Sequence, residues 1–165
     1  MTQATASSSS LRQVLTLAAI VAGLDQTSKW LIVFGLGYQT GEAHSILPFL
    51  DFTLLWNKGI SYGLLDTNGN LGKWLLIALT MLIILSFLWM VRGPQRASII
   101  LAFGLIIGGA AGNLVDRLVH GAVVDFISLH ATGYYWYVFN VADIAITLGV
   151  AALFLDMFIG EKFDR

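Results

Sequence analysis

The sequence predicts an all-α membrane protein: four transmembrane helices, with a small β-structured loop region on the extracytoplasmic side. Two observations carry that prediction. Hydrophobic residues make up 57% of the 165 and charged residues only 12%, whereas a soluble domain carries roughly 25% charged residues to face water. Four apolar stretches, at about 11–36, 71–91, 97–119 and 138–159, each supply the roughly 20 residues that a helix needs to cross about 30 Å of hydrocarbon. Neither Pro48 nor Pro94 falls inside a stretch, so every helix keeps its backbone hydrogen bonds.

Residues 1–10 are small and polar, with four consecutive serines, and read as a disordered tail. Residues 11–165 then form one four-span domain. A cleaved secretory signal is the competing reading of the start, but the lead has no dense positive region and no clear small-residue cleavage site. The first span is interrupted by Asp25-Gln26-Thr27-Ser28-Lys29. The apolar pieces on either side are too short to cross alone, so this polar block belongs inside the helix, facing protein rather than lipid.

The short loops orient the spans. Arg12 precedes the first, Arg92 and Arg96 lie in the tight second connection, and Lys162 and Arg165 follow the fourth. Positive residues gather on the cytoplasmic side, which puts both termini inside and the loops at about 37–70 and 118–137 outside. Trp74 and Trp89 bracket the second span and Tyr134 to Tyr137 precede the fourth, as interface aromatics do. In the first outer loop, Phe49–Trp56 is rich in aromatic and branched residues and suits short strands, with a surface amphipathic segment as the alternative. Gly59, Gly63 and Gly69 suggest mobility over 57–70.

The net charge of −1 shows no basic excess for nucleic acid. With no cysteine there is no disulfide framework and no thiol nucleophile. Function is sought instead in ionisable residues within or beside the spans, which are costly in hydrocarbon unless paired or hydrated. Asp25 and Lys29 stand four apart on one helix face, the favourable order for an ion pair. A self-neutralising clamp and a grip on substrate backbone are both open for them. Gly108-Gly109-Ala110-Ala111-Gly112 offers a smooth face for close helix approach, and Asn113, Asp116 and Arg117 follow on one side of the same helix. Asp116 and Arg117 either anchor that helix end or meet substrate.

Asp125 sits among apolar neighbours in Val123-Val124-Asp125-Phe126, and Asp143 about one and a half turns into the fourth span with Asn140 three residues earlier. Both come to the outer leaflet at similar depth. Two close carboxylates in a low dielectric cannot both ionise cheaply, so the pair holds an acid and a base side by side. That suits amide hydrolysis by activated water, with no covalent intermediate and no cofactor.

At these residues the chain resembles the lipoprotein signal peptidase, or signal peptidase II, family. Asp25-Gln26-Thr27-Ser28-Lys29, Asn57-Lys58-Gly59, the stretch Gly108 to Arg117, Val123 to Phe126 and Phe139-Asn140-Val141-Ala142-Asp143 look like that family's successive motifs, in its order. The resemblance implies that Asp125 and Asp143 are the catalytic pair. It implies that Asp25, Lys29, Asn57, Gly108, Asn113, Arg117, Asn140 and Ala142 shape the site or hold substrate, with Asp116 in support. It also implies an aspartic endopeptidase of the bacterial inner membrane, active near the outer face. Such an enzyme removes the signal peptide of a lipid-modified prolipoprotein, cutting before the diacylglyceryl cysteine. Its partners are then that substrate and membrane lipid, with no nucleic acid and no metal, and the expected state is a monomer.

Two rivals remain at this point. A metal-dependent enzyme would use His120 and His130 with Asp116 and Asp125, although no H-E-x-x-H signature is present. A proton-coupled transporter or channel component would use the buried acids as an ion path, but would want polar residues along the full depth.

Overall fold

The computed structural model describes residues 2–59, 71–93 and 95–163. In chain order it has helix α1 (Thr2–Trp30) continued by a π-helical turn (Leu31–Gly35), strands β1 (Ala43–Leu47) and β2 (Leu50–Asn57), helices α2 (Leu71–Met90) and α3 (Ala97–Val119), strands β3 (Val123–Ala131) and β4 (Tyr134–Tyr135), and helix α4 (Val141–Phe163). All four helices are long and apolar enough to cross a membrane. The 23 residues of α3 span about 34 Å at 1.5 Å per residue, slightly more than the hydrocarbon thickness.

Helix α3 is the axis of the bundle. It buries Ala102, Phe103, Ile106, Ile107, Ala110 and Leu114, with α1 and α4 packed along it. Small residues permit that closeness. A Cβ on Gly108 would stand 2.7 Å from the Ala18 carbonyl oxygen of α1, and one on Gly109 would stand 2.5 Å from the Ala142 carbonyl oxygen of α4. The outer faces stay apolar and uncovered: Leu24, Phe34, Leu82, Trp89 and Phe158 are all exposed. In hydrocarbon such a surface costs nothing, and close packing of small residues holds the helices together.

The sheet goes beyond an all-α description. β1, β2, β3 and β4 form one antiparallel sheet in sequence order. The strand expected within Phe49–Trp56 is β2. Its long partner β3, which starts right after α3 and carries Asp125, was expected only as a segment beyond the third span. The β3–β4 hairpin turns through Thr132 (φ 49°) and Gly133 (φ 85°), the pair of positive φ values that a two-residue type I′ turn demands. Backbone bonds from Ile127 N to Phe139 O (2.8 Å) and from Phe139 N to Ile127 O (3.0 Å) then tie β3 to the entry of α4.

Two boundaries differ from the sequence expectation. Helix α1 begins at Thr2, within the segment expected to be a disordered tail. Ser10 is buried at its foot and its hydroxyl accepts from Gln95 N at 3.2 Å. Alanine, serine and glutamine carry no barrier to extending a helix already nucleated by the span below them. Helix α4 begins at Val141 rather than near 138, because residues 126–127 engage Phe139 as a strand would. Gly63, Gly69, Pro94 and Arg165 lie outside the described residues, and with them most of the segment for which mobility was expected.

Candidate active site

Asp143 is the third residue of α4, in its first turn rather than one and a half turns deep. Asn140 precedes the helix and the two residues cap it reciprocally. Asn140 Oδ1 accepts from Asp143 N at 3.0 Å, while Asp143 Oδ2 accepts from Asn140 N at 3.2 Å. This is the capping-box arrangement, with asparagine and aspartate in place of its usual members. The carboxylate is therefore held by the helix end, where the dipole favours negative charge. Its other oxygen, Oδ1, accepts from Asn113 Nδ2 of α3 at 2.9 Å.

Asp125 is fully buried on β3. In the ladder Leu55 pairs with Asp125 and Asn57 with Val123. Side chains two apart share a sheet face, so Asn57 is the diagonal neighbour of Asp125. Its Nδ2 donates to Asp125 Oδ2 at 2.9 Å. The other oxygen, Oδ1, accepts from Asn140 Nδ2 at 2.6 Å. Asn140 therefore bonds both acids, Asp125 through its side-chain amide and Asp143 through its backbone N–H.

Behind the two acids lies a buried ion cluster. Lys29 Nζ stands 2.7 Å from Asp25 Oδ2, 2.9 Å from Asp116 Oδ2 and 2.9 Å from Asn113 Oδ1. Each carboxylate also accepts a backbone N–H: Asp25 Oδ1 from Ala142 at 2.8 Å, and Asp116 Oδ2 from Val124 at 3.0 Å. Gln26 Nε2 closes the cluster, donating to Asp116 Oδ1 at 2.7 Å and to the Gly112 carbonyl at 3.0 Å. Gly112 has to be glycine here, because a Cβ would run into Asp25 Oδ2. Breaking such a buried pair by removing one partner costs about 3–5 kcal/mol, since the other charge stays behind.

Ten of the eleven residues singled out in the sequence converge on this region. Gly108 does not; it sits lower on α3, against Ala18 and Val21 of α1. Its place in a glycine-rich motif reflects helix packing. Ala142 contributes its N–H rather than its side chain. Arg117 reaches the edge of the site. Its guanidinium donates to its own helix at Asn113 O (3.3 Å), and its buried Nε has no hydrogen-bond partner among the described residues. Sequence reasoning missed Gln26 and Tyr137. Gln26 stood inside the recognised polar block, next to Asp25. Tyr137 passed as an interface aromatic, yet its hydroxyl lies 3.1 Å from Asn57 Nδ2.

Burial pushes the Asp125 carboxyl up to about 6, and the charge of Asp143 adds to that rise. Hydrogen bonds from Asn57 and Asn140 and the charge of Lys29 act the other way. A carboxyl that keeps its proton into the weakly acidic range, beside a second carboxylate, can give and take protons near neutrality.

The histidines stand apart. His120 packs edge-on against Trp56. His130 lies 3.2 Å from Asp51 and against Tyr135. Asp116, the ligand a metal site would share with them, is committed to Lys29, Gln26 and Val124.

A model of the signal peptidase II family matches residues 17–159. The chain belongs to that family. Lipoprotein signal peptidases of Methylorubrum extorquens and Rhodopseudomonas palustris are 46% and 47% identical to it, over 87% of this chain in both cases and 83% and 91% of theirs. Two solved structures of bacterial membrane enzymes superpose with TM-scores of 0.75 and 0.77, each at 26% identity. They cover 87% and 92% of this chain, and 91% of each of those chains. Membership in the signal peptidase II family accounts for a polar, acid-rich centre inside an apolar bundle and gives the transporter reading no support.

Proposed function

We propose that this chain is a lipoprotein signal peptidase. It cuts a prolipoprotein before its diacylglyceryl-modified cysteine, with Asp125 and Asp143 as the catalytic pair. The observation that carries the assignment is the shared contact of both acids with Asn140, at 2.6 Å to Asp125 and 3.2 Å to Asp143. One carboxylate takes a proton from water as the water attacks the scissile carbonyl. The protonated partner hydrogen-bonds the carbonyl oxygen, and proton return to the amide nitrogen releases the new amine. No metal or cofactor takes part. Arg117, at the edge of the site, holds a backbone carbonyl of the substrate.

The surroundings support a lipid-anchored substrate. A groove of about 400 Å³ lined by Trp136, Tyr137, Phe139, Ile144 and Leu148 opens beside Asp143 on the uncovered side of α4. Tyr134, Tyr135, Trp136 and Tyr137 are all exposed next to it, as an aromatic belt at a membrane interface is. The site belongs near the outer face of the inner membrane, with both termini cytoplasmic. A single copy holds every group named, so the enzyme acts as a monomer.

The test is cleavage of a diacylglyceryl-modified prolipoprotein by the purified protein in detergent. Wild type is expected to cut, while folded Asp125→Asn and Asp143→Asn are not. Near-full activity in either variant removes that residue from the catalytic pair.

A further inference from the structure

We infer that Lys29 is the positioning residue that sets the spacing of Asp125 and Asp143, an inference resting on their assignment as the catalytic pair. The Lys29 ammonium meets three side chains at 2.7–2.9 Å, donating to Asn113 Oδ1 and forming ion pairs with Asp25 and Asp116. Each partner leads to a catalytic residue. Asp25 accepts the N–H of Ala142, one residue before Asp143. Asp116 accepts the N–H of Val124, one residue before Asp125. Asn113 donates to the Asp143 carboxylate itself.

Strand β3 and helix α4 are thus moored, next to their catalytic residues, to one cation on α1. Lys29 is only 3% exposed, and its ammonium meets Asp25, Asp116 and Asn113 rather than either catalytic carboxylate. A clamp that merely ordered the bundle would need the two carboxylates. It would not need both of them, and Asn113, tied to the residues flanking the reacting acids. Misplacing a reacting group by about 1 Å can cost about 100-fold in rate, so loss of this centre should appear in turnover rather than in binding.

The variant Lys29→Met alone leaves two buried carboxylates uncompensated, so it is made in an Asp116→Asn background. Asparagine at that position keeps an acceptor for Val124 N and removes one surplus charge. With Asp116→Asn alone as the reference, Lys29→Met/Asp116→Asn is expected to lower kcat about 100-fold, with KM within about threefold and the helical signal retained. A kcat equal to that of the reference, or a loss carried by KM, overturns the inference. If the double variant does not fold, Lys29→Arg decides, since it keeps the charge but presents a planar fork where three short contacts converge on one atom. A folded Lys29→Arg with kcat down at least about tenfold upholds the inference, and wild-type kcat overturns it. Asp125→Asn and Asp143→Asn are run alongside. Activity in those variants would sink the catalytic assignment itself, whereas a fully active Lys29 variant beside two inactive asparagine variants sinks only the positioning role.

Discussion

The two ends of α3 carry polar groups in different arrangements. At its C-terminal end Asp25, Asp116, Asp125 and Asp143 face Lys29 and Arg117, two cations for four carboxyl groups. At its N-terminal end the hydroxyl of Ser98 donates to Asp156, and Arg96 lies 3.8 Å from the same carboxylate. Among the described residues Asp156 has a base and a hydroxyl beside it, and Arg96 is half exposed. An acid met by a base and a hydroxyl is adequate for fastening helices. An excess of carboxyl groups kept from water is an arrangement that fastening does not require, and it raises the proton affinity of Asp125.

The strongest way to break this contrast is at Asp143. Asp143→Asn should lower kcat by about 1,000-fold or more while leaving the cap intact, because asparagine can still accept from Asn140 N. Asp143→Ala should be equally inactive and also lose about 1 kcal/mol of stability with the cap. Thermal melting of both in detergent, set against their activity, separates the two roles.

Next in size is Gly112→Ala, which drives a methyl group into Asp25. A loss of about 10- to 100-fold in kcat, with a lower melting point, is expected. Near-wild-type kinetics would show that Asp25 can retreat without disturbing Ala142 and Asp143.

The opposite end should answer differently. Ser98→Ala removes the hydrogen bond to Asp156 and should cost about 1 kcal/mol of stability, with kcat within about twofold of wild type. A large loss of activity there would mean that the two ends are coupled through α3.

The smallest effects concern protons. Asp125 has a folded-state pKa raised to about 6. Its ionised form is therefore disfavoured in the folded protein. Stability should rise as pH falls through about 6 towards the ordinary carboxylate range, where the unfolded chain also protonates. Melting points at pH 7.5 and 5.5 should show that gain in wild type and not in Asp125→Asn. Asn57→Ala removes a hydrogen bond that favours the ionised form, so Asp125 should keep its proton to higher pH. The limb of the kcat/KM profile that reports Asp125 should move upward with it.

Much of this was legible in the sequence because a membrane makes charge conspicuous. The four spans followed from length and hydropathy, and Asp25 and Lys29 stood out because so little else in the first span is polar. What stayed hidden were long-range pairings. β3 reads as the frayed end of an apolar run, because its partner β2 lies more than sixty residues earlier and only the ladder reveals it. The cap formed by Asn140 and Asp143 was masked by aromatic residues that lengthen the apparent span. Asp156 has no motif around it, and its pairing with Ser98 joins residues 58 apart. The glycines of α3 were legible as a smooth face, but not which neighbour filled it.

The missing side chain at Gly112 has a consequence for how this sequence can drift. The space it leaves is filled by a carboxylate that holds the start of α4, so positions 25 and 112 share a single volume. A larger residue at 112 is admissible only with a shorter one at 25, and a shorter one at 25 lets go of Ala142. Neither position can be improved alone, and no pair of small steps exchanges them without passing through a crippled intermediate. A selection from a library randomised at both positions should therefore return aspartate with glycine together, and almost nothing on either side.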